Sequence, residues 1–246
     1  MFCPGCAESR RAREEARVLE ALRTEVYEAN LELVRRGLVL YTFGNASGFS
    51  REQGLLAIKP SGVPYERMTP ADMVIVDLDG RVVEGALRPS SDLATHLALY
   101  RAFPSVGGVV HTHSRHATAW AQACREIPCF GTTHADYFHG PVPVTVPLTP
   151  AEIESEYEAN TGVAIIRLME ARDPLGCPAA LVAGHGPFTW GPSAAAAAHI
   201  AVIVEELAAM ALQTLLINPA APPISEALRG KHYFRKHGPK AYYGQK

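Results

Sequence analysis

Gly108-Val109-Val110-His111-Thr112-His113-Ser114-Arg115-His116 is the stretch on which the reading of this chain turns. Small and apolar residues run into His111, and His113 follows two positions later. In extended backbone, residues i and i+2 point to the same face. A strand ending in His-x-His therefore aims two imidazoles at one point, which is half of a tetrahedral metal site. Ser114 is then placed to cap a helix running to about Cys124. Together with the hairpins and long helices along the rest of the chain, this strand suggests one layered α/β domain. Histidines at this spacing also occur in cores that bind nothing, so the pair alone leaves both readings open.

Two further stretches favour a metal. Pro178-Ala179-Ala180-Leu181-Val182-Ala183-Gly184-His185-Gly186 is a second apolar run ending in histidine, flanked by glycines that permit close backbone approach. Pro89-Ser90-Ser91-Asp92 precedes the periodic apolar positions Leu93, Leu97 and Tyr100 and reads as a helix start. His111, His113, His185 and Asp92 offer three nitrogens and one oxygen, with room for a substrate oxygen on a catalytic ion. Such a donor set suits zinc first, with manganese or cobalt tolerated.

Composition narrows the class. The 246 residues are 48% hydrophobic and 20% charged, as in a globular protein with a sizeable core. A formal net charge of −2 points to neither nucleic acid nor a membrane surface as partner. The first twenty residues carry arginines and glutamates but no apolar h-region, so a secretory signal is not expected and a cytoplasmic location is. The apolar run Ala194 to Ile217 is interrupted by His199, Glu205 and Glu206 and reads as a buried or interface helix. Five scattered cysteines make no disulfide framework. Cys3-Pro4-Gly5-Cys6 lacks both a second ligand pair and a preceding strand, and residues 1–19 are expected to form a flexible extension.

Taken in order, residues from about 9 to 36 keep helical spacing through Val18, Leu22, Val26, Ala29 and Leu33, with Gly37 at the end. Hairpins are predicted over 44–58 around Arg51-Glu52-Gln53-Gly54, and over 73–83 around Asp79-Gly80. A helix follows Asp92, and Pro104 with Gly107-Gly108 breaks the chain before the His111 strand. Thr149-Pro150-Ala151-Glu152 opens another helix, which continues to about Arg172 with a break expected at Asn160-Thr161-Gly162. A strand ending at His185 and the alanine-rich helix complete the pattern.

Several segments together resemble a known family. They are Gly44-Asn45-Ala46-Ser47, Lys59-Pro60-Ser61-Gly62-Val63, Pro89 to Asp92, His111 to Ser114, Gly131-Thr132-Thr133-His134-Ala135-Asp136-Tyr137-Phe138 and His185-Gly186-Pro187-Phe188. The tail adds Lys231-His232-Tyr233, Arg235-Lys236-His237-Gly238 and Ala241-Tyr242-Tyr243-Gly244-Gln245. In this order they are similar to the L-ribulose-5-phosphate 4-epimerases of the class II aldolase-like superfamily. The resemblance runs from about residue 20 to the end, which makes 20–246 a single catalytic domain. It implies a three-layer α/β/α sandwich with a mixed central β-sheet, a homotetramer with active sites at subunit interfaces, and metal-dependent action on a pentulose 5-phosphate.

The chemistry implied has clear requirements. The hydrogen on C4 of a 2-ketose is not adjacent to the carbonyl, so removing it as a proton would leave an unstabilised carbanion. Breaking C3–C4 instead leaves an enediolate whose charge a divalent cation offsets. The aldehyde turns, and the bond re-forms on its other face, which needs a phosphate grip and acid/base groups on both sides. Gly44-Asn45, Ser61-Gly62 and Ser90-Ser91 are donor-rich turns suited to phosphate oxygens, and Lys59 adds a charge. Each is by itself also an ordinary turn, and it is the resemblance that groups them as the substrate and phosphate contacts.

Asp136 alone reads as a turn carboxylate, and Tyr243 lies in a polar tail where disorder is the default. The resemblance makes Asp136 one acid/base group, Tyr243 the opposite one reaching into a neighbouring subunit's site, and His232 a helper in substrate or proton transfer. Glu158 has a weaker claim, since a solvated helix face explains it equally. His96, one helical turn after Asp92, is placed to orient it. The main alternative is a class II aldolase releasing dihydroxyacetone phosphate and an aldehyde. Related aldolases carry Glu where this chain has Asp92, and the shorter Asp favours the epimerase. A non-catalytic metal or sugar-phosphate binder would leave the acid/base residues without a task. Nothing in the sequence separates arabinose breakdown from ascorbate or gulonate breakdown.

Overall fold

A computed structural model describes residues 4–244; Cys3 and the side chain of Cys6 lie outside the described residues. Helix α1 spans Pro4–Arg35 and so begins inside the segment expected as an extension. Its inner stripe is Leu22, Val26, Ala29 and Leu33, all buried at helical spacing.

Seven strands form one sheet: β1 (Asn45–Ser50), β2 (Leu55–Ile58), β3 (Val74–Asp77), β4 (Val82–Glu84), β5 (Gly108–His111), β6 (Ala179–Leu181) and β7 (Pro187–Gly191), in the order β4-β3-β2-β1-β5-β7-β6. Every neighbouring pair is antiparallel. The mixed character expected of the sheet comes down to one parallel bridge, Val144 to Leu181, beside β6. Short hairpin turns suffice to join β1–β2, β3–β4 and β6–β7, whereas parallel neighbours would need long crossovers.

Alternation along the strands loads both faces. Leu56, Ile58, Val74, Val76, Val109, Phe188 and Trp190 pack on Leu97, Leu99, Ile165 and Met169 of α2 (Leu93–Ala102) and α6 (Tyr157–Met169). Ala57, Ile75 and Val110 turn the other way, toward Val26 and Leu33 of α1 and Ala197 and Ala201 of α7 (Ala194–Ile217). The result is three layers, helix on sheet on helix. Each large apolar side chain so buried contributes about 1.5–3 kcal/mol, more than a neutral hydrogen bond at about 1 kcal/mol. These two faces therefore set where the sheet sits. Helix α7 is long and apolar enough to cross a membrane by length and composition. Here it lies against β5, β7, α1 and α3 (Arg115–Gln122), and its far end, at Leu216 and Ile217, is strongly exposed.

Three local features differ from the expected pattern or extend it. The break before α6 falls at Ser155-Glu156, after the short α5 (Pro150–Glu154), and not at Asn160-Thr161-Gly162. Gly162 lies inside α6 because α2 passes so close that a Cβ there would sit 2.7 Å from the Ala98 methyl and 3.3 Å from the Thr95 carbonyl. The polar patch after Gly131 forms a single helical turn, α4 (Thr132–Ala135), and the tail forms α8 (Glu226–Lys236), whose Ser225 cap accepts from the Leu228 amide. Finally, Arg51 Nη2 donates to the carbonyls of Tyr100, Phe103 and Val106 at 3.3, 2.9 and 2.8 Å. It thereby satisfies the C-terminal end of α2.

Candidate metal centre

β5 delivers His111 to the sheet face covered by α2. The imidazole stacks on Phe188, its partner across the β5–β7 ladder, with ring centres 4.2 Å apart. Its Nδ1 lies 3.1 Å from the Pro187 carbonyl. A carbonyl can only accept, so Nδ1 carries the proton and Nε2 presents a lone pair. His113 follows in the short connection between β5 and α3. His185 is not at a strand end as expected: β6 stops at Leu181, and His185 sits in the β6–β7 turn, closed by a 2.9 Å bond from the Val182 amide to the Gly186 carbonyl. Gly186 lets that turn close onto β5, since a Cβ there would lie 2.7 Å from the Thr112 carbonyl and 3.5 Å from His111 Cε1.

The three Nε2 atoms converge. His113 Nε2 is 2.9 Å from that of His111 and 3.1 Å from that of His185. Burial pushes the proton affinity of all three rings down; for His111 it falls well below the usual value, with the neighbouring His185 and His113 adding to the effect. Neutral imidazoles with nitrogens this close present more lone pairs than protons to share. A tetrahedral zinc with Zn–N of about 2.0–2.1 Å would hold such nitrogens about 3.3 Å apart. The donor set fits a divalent metal. Among the described residues these histidines form the ligand cluster, and Asp92 is not part of it. Its carboxylate Oδ2 accepts from Asn45 Nδ2 at 2.6 Å, near enough to the histidines to favour their protonated forms.

Around the histidines lies a cleft of about 500 Å³. It is lined by Gly44, Asn45, Lys59, Ser61, Gly62, Ser90, Ser91 and Asp92, all of the expected grip and metal residues, together with Tyr157 and Glu158. The amides of Ser61 and Ser90 are not free for an anion: they donate to the Arg88 and Lys59 carbonyls, at 2.9 and 3.0 Å, where the two loops pair. The serine hydroxyls and the Lys59 charge share the same cleft. Lys59 is 2% exposed, and burial lowers its pKa to about 8. Its Nζ lies 4.7 Å over the Tyr65 ring.

Asp136, His232 and Tyr243 do not line this cleft. They gather elsewhere on the chain, where α8 docks against α4. Arg235 grips the Asp136 carboxylate with Nε at 3.0 Å and Nη2 at 2.7 Å, and His232 Nδ1 lies 3.0 Å from Oδ1. Burial acts against the charge on Asp136, but Arg235, then His232 and Lys236, override it and hold the carboxyl below its ordinary value. The Tyr243 ring covers the Arg235 guanidinium at 4.5 Å. Sequence reasoning gave no role to Tyr157, whose hydroxyl is 3.2 Å from His185 Nδ1, or to Arg235. Neither carries a spacing signal; Arg235 was visible only inside the tail motif.

Residues 24–212 match the family described as the class II aldolase and adducin N-terminal domain, and the chain belongs to that family. Within it, the chain is 57% identical over 228 residues to the L-ribulose-5-phosphate 4-epimerase UlaF of Salmonella paratyphi C (strain RKS4594), covering 93% of this chain and 100% of that one. The same figures hold for UlaF of Salmonella typhi. Among solved structures, an L-fuculose 1-phosphate aldolase is similar with a TM-score of 0.74 and 26% identity, over 87% of this chain and 95% of that one.

Proposed function

We propose that this protein interconverts L-ribulose 5-phosphate and D-xylulose 5-phosphate by breaking and re-forming the C3–C4 bond. The observation that carries the reading is the convergence of three neutral histidine Nε2 atoms in a cleft that also holds the buried Lys59. The 57% identity to enzymes of this name supports the substrate. A zinc or similar divalent ion held by His111, His113 and His185, with Asp92 lining the same cleft, would supply the positive charge that makes the C2 carbonyl an electron sink. Lys59 with the Ser61, Ser90 and Ser91 hydroxyls would bind the phosphate and fix the substrate's orientation.

Cleavage begins when a base takes the proton of the C4 hydroxyl. The C3–C4 bond then breaks, the aldehyde turns about its bond to the phosphate-bearing chain, and attack on its other face re-forms C3–C4. A second acid on that face returns the proton. Asp136, Tyr243 and His232 are the groups for these transfers. They lie outside their own chain's cleft, which supports a site completed by a neighbouring subunit in a homotetramer. The loop beside the cleft fits the same reading: Leu40, Tyr41 and Phe43 are exposed, Tyr41 to 83%, as expected of a surface that meets another copy. A cytoplasmic location goes with a phosphorylated substrate.

The test is direct. Purified protein incubated with zinc and L-ribulose 5-phosphate should yield D-xylulose 5-phosphate with little free dihydroxyacetone or glycolaldehyde phosphate, the two halves that C3–C4 cleavage leaves. Those two fragments as the main products, or release of dihydroxyacetone phosphate from a ketose 1-phosphate in place of epimerisation, would replace this reading with the aldolase one.

A further inference from the structure

Tyr157 opens α6 and lines the cleft, and its hydroxyl oxygen lies 3.2 Å from Nδ1 of His185. His185 has only two ring nitrogens, and its Nε2 is the one that faces His113 Nε2, at 3.1 Å. A neutral imidazole carries one proton, on one nitrogen or the other. Without a metal, either arrangement is open to His185, and the Tyr157 hydroxyl can donate to a bare Nδ1. Once Nε2 gives its lone pair to a cation, the proton must sit on Nδ1. The tyrosine oxygen then has to accept, and its own O–H must turn to another acceptor. Asp92, Glu158 and any bound sugar oxygen share that cleft.

We propose that the Tyr157–His185 hydrogen bond reverses direction on metal loading. Tyr157 is thereby the positioning residue for His185, and the freed O–H becomes a donor to the substrate. Metal and substrate are coupled through this one hydroxyl. Loading the ion frees the donor, and a substrate that accepts from it favours the tautomer in which His185 is a ligand. The arrangement at His111 is different in kind. There the outer nitrogen meets the Pro187 carbonyl, which can accept but never donate, so its tautomer is fixed whether or not metal is bound. The proposal rests on the metal-dependent reading above.

Tyr157→Phe removes the hydroxyl and little else. Zinc affinity should be measured by competition with a chromophoric chelator, independently of activity, and should weaken roughly 10- to 100-fold. At saturating zinc, KM for L-ribulose 5-phosphate should rise roughly tenfold while kcat changes little, as for a lost ground-state contact. The metal-free variant should melt with the metal-free wild type, which shows the fold to be intact. Zinc affinity equal to wild type would overturn the positioning role. Weakened zinc binding with an unchanged KM would overturn the donor role. A wild-type protein that takes up no zinc in the chelator assay would sink the metal reading itself, which is a different result from a wild type and a variant that bind zinc equally.

Discussion

The Asn45 amide donates to Asp92 Oδ2 at 2.6 Å and also reaches Ser90 Oγ at 3.0 Å. One side chain on the first residue of β1 thus holds the carboxylate at the start of α2 beside the histidine cluster. Hydrogen bonds to a charged acceptor contribute about 1.5–3 kcal/mol, and losing the donor strands the carboxylate in a part-buried cleft. Asn45→Ala should therefore lower the melting temperature as well as the rate. Asn45→Asp should be worse on both counts, because it sets two carboxylates side by side. Calorimetry and turnover on the pair check this; an aspartate variant as stable as the alanine one would show that Asp92 is not held there.

Metal content follows from the histidines. His111→Asn and His113→Asn should each reduce bound zinc, read by elemental analysis, by roughly tenfold or more under dialysis against weak chelator. Exhaustive chelation of the wild type should abolish turnover, and zinc or manganese should restore it. Full activity in protein verified as metal-free would refute the assignment.

Lys59 gives a pH dependence with a definite sign. Its proton is lost at about 8 in the folded chain, against an ordinary 10.5. Below that point the buried charge is available to a phosphate, so KM should climb as pH rises through about 8. Lys59→Arg keeps its charge and should flatten the climb, whatever its KM at neutral pH. Stability runs the other way. Below the folded value both states are charged and the cost of burial is present in full; between the two values the unfolded chain binds more protons, so stability rises with pH. Lys59→Met should accordingly melt higher than wild type at pH 7 while binding substrate roughly tenfold more weakly.

Subunit mixing tests the shared site. His113→Asn and Asp136→Asn should each be nearly inactive. Co-expressed at random, they should recover about a quarter of wild-type activity if one subunit's cleft meets its neighbour's Asp136. Asp136 and Tyr243 flank the same Arg235 within one chain. Asp136→Asn mixed with Tyr243→Phe should therefore stay inactive. Rescue in that second mixture would mean that the two residues serve from different subunits.

The parts of this architecture that repeat at short range were legible in the sequence. The period of α1, the hairpins of β1 to β4 and the His111–His113 spacing express local backbone geometry, and α7 announces itself by its long alanine-rich apolar run. What escaped depends on approach between distant segments. Gly162 reads as a helix breaker until α2 is seen to press against it. The run from Ala179 to His185 reads as one strand, because nothing in its apolar pattern announces that the chain reverses at Gly184. The docking of α8 rests on Arg235 finding a carboxylate 99 residues away, and charge pairing over that separation leaves no periodic trace. Tyr157 belongs to the site only through the other nitrogen of a histidine that sequence could already name.

Arg51 holds the carbonyls of Tyr100, Phe103 and Val106, at and just beyond the far end of α2, and Asp92 stands at the near end, tied to Asn45. The helix is thus braced from both ends against the strand β1 and its following turn. An incoming sugar phosphate would meet a carboxylate whose ordering was completed when the chain folded, so little conformational entropy is left to lose there on binding.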